Sequence, residues 1–227
     1  MNKAVSFMRL DLITVKPYLT VKNLCIFGGV AVFMLIVNNS AAGAIGLLMA
    51  FAALYASYPF AIGEKNNIDV LYTTLSIKRN TVVLGRYLFA LTLDILAGLF
   101  TFALSVIVLT IAQKGIDIIE TLSTIPILFL AFSIIQAVQL PIYFKLNYTK
   151  AKFIAYIPFV VLPLAVLMGS NFLNEEYPLA QITIVLKWFE WFALNPLAAV
   201  LLCVAIWLAL MFVSYRISVS FYQKREF

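Results

Sequence analysis

Apolar runs of about twenty residues follow one another through most of this chain, separated by short segments that carry most of its charge. A helix needs about 20 predominantly apolar residues to cross the hydrocarbon of a bilayer, and the runs here are of that order. They do not alternate between apolar and polar positions, which sets a transmembrane barrel aside. At 64% hydrophobic and 11% charged, with a mean hydropathy of +1.02, the 227 residues hold too little charge to cover a soluble domain of that length. The expected fold is all-α: a polytopic membrane protein forming one transmembrane domain over residues 1–227.

Six spans are expected, over about residues 24–37, 41–62, 82–112, 122–143, 153–172 and 196–213. Ahead of them, residues 2–14 carry Val5, Met8 and Leu12 along one side with Lys3, Arg9 and Asp11 interspersed. This suits an interfacial helix whose apolar face enters the headgroup boundary and which ends before Pro17. The second span is rich in Ala and Gly, so another helix can approach it closely. The third is longer than a bilayer requires and must tilt or project. Pro158 and Pro163 predict a kink in the fifth. Between the last two spans, residues 171–192 place Glu175, Glu176, Trp188 and Trp191 around an apolar run too short to cross. An interfacial or re-entrant piece anchored by its tryptophans is expected there.

One internal stretch, GEKNNIDVLYTTLSIKRNTVVLGR over residues 63–86, is far more polar than its neighbours. Ile68, Leu71, Tyr72 and Leu75 stand at the spacing that lines one helix face, and Asn66, Asp69, Thr73 and Ser76 fall opposite. Asn66 or Asn67 suits the N-cap, Asp69 the positive end of the helix dipole, and Lys78 with Arg79 the negative end. The helix is about three turns long and cannot cross a bilayer. It either rests on lipid or inserts into a partner protein; the pattern leaves both open. With the N-terminus cytoplasmic, the inner segments hold all of the 16 basic residues except Lys114 and Lys187, so both termini and the polar stretch are expected inside.

The absence of histidine excludes histidine-ligated metal and the Ser–His and Cys–His nucleophile arrangements. Cys25 and Cys203 lie in apolar runs and are expected as buried small hydrophobes rather than a disulfide. No G-x-x-x-x-G-K-[ST] loop occurs, so the chain is not expected to hydrolyse ATP. Asp94 falls near mid-bilayer in the third span, where an ionised acid costs roughly 3 kcal/mol. It either serves a substrate path, binding a cationic group or a proton, or sits protonated or hydrogen-bonded between helices. Gln136 and Gln139 in the fourth span either line a polar cavity with it or bond between helices.

Six spans, an amphipathic helix after the second and a basic tail together resemble the permease subunits of type-2 ATP-binding-cassette exporters. The most specific parts are GEKNNIDVLYTTLSIKRNTVVLGRYL over residues 63–88 and FYQKREF over residues 221–227. The first resembles that family's cytoplasmic coupling helix, about residues 64–79, which sits in a groove of a separate ATPase subunit. The resemblance implies that Glu64, Lys65, Ile68, Leu71, Tyr72 and Leu75 meet that ATPase. Ser76 stands where family members often have proline. The resemblance also implies a non-enzymatic permease in the plasma membrane, with ATP and magnesium held by the partner and no cofactor in this chain. A second permease, identical or homologous, is implied as well. Small members export amphipathic peptides such as phenol-soluble modulins, or antimicrobial peptides. Besides the ATPase and membrane lipid no further partner, and no nucleic acid, is expected. The competing readings are an ion-coupled secondary transporter, for which only Asp94 qualifies, and a non-catalytic membrane scaffold.

Overall fold

The computed structural model describes residues 3–38, 41–74, 77–113, 118–146, 148–174 and 196–225. Among these residues the regular structure is helical, with no strand. The helices are α1 (Lys3–Val15), α2 (Val21–Asn38), α3 (Ala42–Tyr55), α4 (Tyr58–Lys65), α5 (Ile68–Thr74), α6 (Arg79–Ile111), α7 (Ile118–Lys145), α8 (Tyr148–Asn174) and α9 (Pro196–Gln223). Helices α6 and α7 form the centre of the bundle. The first packs against α1, α2, α3, α7 and α9, the second against α3, α6, α8 and α9.

Four helical segments among the described residues are long and apolar enough to cross a membrane. They are Ala42–Lys65, Arg79–Ile111, Thr121–Lys145 and Val200–Gln223, and a fifth arises if α1 and α2, bent by 85°, are counted as one broken span. Six spans are therefore not reached. The shortfall lies at the first and fifth positions. Helix α2 has 18 residues, about 27 Å of rise, just under the hydrocarbon thickness. The predicted fifth span falls on α8, whose side chains are described only as far as Leu164. The interfacial or re-entrant piece lies almost wholly in residues 175–195, outside the described residues.

The second span is divided where the sequence predicts continuity. Helix α3 ends at Tyr55 and α4 begins at Tyr58 with Pro59 in its first turn. Proline has no N–H for the carbonyl four residues back, so the ladder breaks there. Helix α4 then runs on to Lys65, taking Glu64 and Lys65 into its own last turn. The short helix α5 thus covers Ile68–Thr74 rather than residues 64–79. Asn67 makes the turn between the two at φ 50, a left-handed conformation that asparagine tolerates well. Lys78 and Arg79 do not close α5; Lys78 is the N-cap of α6 and Arg79 its first residue.

Helix α1 is turned differently from its sequence-predicted face. Ala4, Phe7, Asp11 and Val15 are buried, and Met8 and Leu12 pack beside Val15, Tyr55, Phe89 and Leu93. Leu10 and Ile13 point away from the protein. The cause is a fit between two helices. A Cβ on Gly85 of α6 would stand 2.7 and 2.9 Å from Phe7 Cδ1 and Cβ, so only glycine lets Phe7 lie flat there. Cys25 and Cys203 are free and exposed on the outer faces of α2 and α9, not buried; both faces are apolar and suit lipid contact.

Polar side chains fasten the central helices. Tyr87 Oη of α6 lies 2.5 Å from Ser214 Oγ and 2.8 Å from Ser218 Oγ of α9, and Ser214 Oγ donates to the Ala137 carbonyl of α7 at 2.6 Å. In an apolar surrounding such bonds are not exchanged with water, so they hold helix register.

Candidate functional site

At the end of the bundle that carries α4 and α5, one acid gathers three elements. Asp69, in the first turn of α5, accepts a hydrogen bond from Tyr222 Oη of α9 at 3.0 Å. Its carboxylate lies 3.9 Å from Arg86 Nη2 of α6 and 3.9 Å from Arg225 Nη1 in the tail after α9. Arg86 is only 3% exposed, its guanidinium 4.1 Å from the centre of the Phe60 ring and 5.6 Å from that of Phe144. A planar cation over aromatic faces keeps part of what it loses in leaving water. Arg79 Nη1 donates to the carbonyls of Tyr222, Gln223 and Arg225 at 2.8, 2.6 and 3.0 Å, so the end of α9 is capped by a cation from α6.

Asp11 of α1, outside the four segments that are each long and apolar enough to cross a membrane, adds a second buried acid. Burial pushes its carboxyl up to about 6; the nearby Arg86 charge pulls it back and Asp69 adds to the rise. Its Oδ2 has no hydrogen-bond partner among the described residues. The same surroundings push the Tyr72 hydroxyl up to about 12, burial again being the main cause.

The residues predicted for a partner-facing stripe are split by the structure. Tyr72 is buried, its ring 5.0 Å from that of Phe7 and nearly edge-on to it, and Ile68 is half-buried against the same cluster. Leu71 is 52% exposed and Val70, which the helical stripe leaves out, 47%. Glu64 does not point outward: Thr149 donates to it through N and Oγ1 at 3.0 and 2.9 Å, so its carboxylate caps the start of α8. Lys65 is exposed, and Leu75 lies outside the described residues.

Higher in the bundle, Asp94 is fully buried and accepts a hydrogen bond from Gln136 Nε2 at 2.9 Å, joining α6 to α7. Gln139 is not part of that pair. Its Nε2 donates to the Ala155 carbonyl at 2.7 Å and ties α7 to α8. Both glutamines thus bond between helices. Asp94 also borders a cavity of about 510 Å³ between α6 and α7.

Sequence reasoning missed Arg86, Arg79, Tyr222, Arg225 and Asp11. One signal was available: Arg86 sits within an apolar helix, where an unpaired charge is costly and a partner is expected. The residue supplying that partner was not legible, since Asp69 lies 17 positions away.

This is a multi-pass helical membrane protein with a charged fastening at one end and a buried acid, Asp94, between its central helices. The chain matches the model of the ABC-2 family transporter protein over residues 7–223 and belongs to that family. It is thus a membrane permease of the ABC transporter class, working with an ATPase partner. No curated protein matches it.

Proposed function

We propose that this chain is the six-span permease of an exporter and that α5 is its cytoplasmic handle, gripped by the ATPase. The observation that carries the reading is the split of α5 into two sides. Tyr72, Ile68 and Asp69 hold it to the body, while Val70 and Leu71 stand out with Lys65 beside them. Exposed leucine and valine on a seven-residue helix at the polar end of a bundle suit insertion into a partner's groove. Of the stripe that includes Glu64, Ile68, Leu71, Tyr72 and Leu75, we assign direct partner contact to Leu71, joined by Val70 and Lys65. Glu64, Ile68 and Tyr72 act from behind by fixing α5 to α8 and α1.

In this reading both termini are cytoplasmic, two permeases share one complex, and closure of the ATPase dimer around ATP and magnesium moves α5. The movement turns the shared path from inside to outside, and amphipathic peptides are the proposed cargo.

The test is copurification of the ATPase with tagged permease. Leu71→Asp and Val70→Asp are each expected to lower the recovered ATPase at least tenfold at unchanged permease yield. Undiminished recovery from both variants would remove α5 as the handle.

A further inference from the structure

The cavity beside Asp94 has features the fold does not need. It measures about 510 Å³, within the range of small-molecule sites. Met49, Ile95, Leu99, Phe102, Ile125 and Phe129 make its walls apolar. Ile95 and Leu99 are more than half exposed, so it opens sideways through the outer face of the bundle. Gly98 sits in its wall close to α3 and α7: a Cβ there would stand 3.2 Å from Met49 Cε and 3.3 Å from Ile125 Cγ2.

Into this apolar space the protein brings one polar group. Asp94 Oδ1 is taken by Gln136, whereas Oδ2 has no hydrogen-bond partner among the described residues although the residue is fully buried. The ion pairs of Asp69 with Arg86 and Arg225 do not involve Asp94. A buried carboxylate oxygen without a partner is costly, and the cost falls when a cation meets it in a medium of low dielectric. Gln136 donates only one bond, and it holds the carboxylate in place without neutralising it. Strictly structural helix-to-helix bonding needs no cavity beside the acid.

We propose that this cavity binds a lipophilic cation, its charge on the side of the Asp94 carboxylate and its apolar body against Leu99, Phe102 and Phe129, reached laterally from the bilayer. As an account of what is carried, this rests on the exporter reading above; the binding itself needs no ATPase.

The experiment uses full-length permease in phosphatidylcholine nanodiscs, with tetraphenylphosphonium as probe and tetraphenylborate as its counterpart of similar shape and opposite charge. Binding is measured by equilibrium dialysis against empty nanodiscs. The permease is expected to bind the phosphonium saturably and the borate at least tenfold more weakly. Asp94→Asn, which preserves an acceptor for Gln136, is expected to weaken phosphonium binding at least tenfold. Leu99→Trp, at the mouth and clear of the acid, is expected to do the same and decides the matter should the first variant misfold. Equal binding of the two ions, or undiminished binding by a folded variant of either kind, overturns the site. An unaltered permease that copurifies with its ATPase but binds no phosphonium sinks the cavity alone; an unaltered permease that binds phosphonium but recovers no ATPase sinks the exporter reading alone.

Discussion

Arg86 is a guanidinium within an apolar helix, and its neighbours explain why it is tolerated there. Asp69 faces it, the Phe60 ring lies beneath it, and the Asp11 charge is near enough to affect both groups. Asp11 is the member whose titration falls in an accessible window. Its carboxyl is at about 6 in the folded chain against 3.8 for a free aspartate. The folded state therefore holds that proton more tightly than the unfolded state. The resulting stability is complete below about pH 4 and is lost as pH rises through 6, a change of at most roughly 3 kcal/mol. Asp11→Asn is expected to flatten the pH dependence of Tm between pH 4 and 6, measured by thermal unfolding in detergent. An unchanged slope would assign the dependence to another group.

Among the elements, α1 depends on one contact. Phe7 lies against the bare backbone of Gly85, so Gly85→Ala forces either the ring or the helix away. The expected cost is about 1–3 kcal/mol, read as a lower Tm, together with faster proteolysis before Pro17 as α1 lifts. Wild-type protection would show that α1 is held by other means. This contact also marks where sequence reading stops. Apolar length is a one-dimensional property, and it located α6 and α7 to within a few residues, but it ended α9 ten residues before Gln223. Which side of a helix faces protein is not one-dimensional in a membrane, because lipid and core accept the same side chains. Phe7 and Leu10 are equally apolar, yet only Phe7 meets a glycine. The same ambiguity hid the inward turn of Tyr72. In Asp94 the chemistry was legible from a lone acid in an apolar run, whereas its bond to Gln136, 42 positions away, needed the fold.

On the scale of the whole molecule, the outer faces of α2, α6 and α9 carry a long series of exposed aliphatic and aromatic side chains, among them Phe33, Leu99, Phe100 and Phe212. Such surfaces suit lipid and, in the proposed complex, a second permease. The proposed complex is expected to hold two permeases and two ATPases by native mass spectrometry. A single permease per complex would contradict the shared path. A fluorescent reporter fused after residue 227 is expected to fold and emit, as it does on the cytoplasmic side; a dark fusion beside an active periplasmic phosphatase fusion would invert the topology.

Helix α6 has 33 residues, about 50 Å of rise, against about 30 Å of hydrocarbon. It contains no proline between Arg79 and Ile111 to act as a joint. Arg86, which faces Asp69 of α5, and Asp94, which borders the cavity, are separated by eight residues, about 12 Å along the same rod. A tug on the protruding end cannot be absorbed before it reaches the acid. On the two proposals above, gripping from outside and holding cargo within are two ends of one stiff crank.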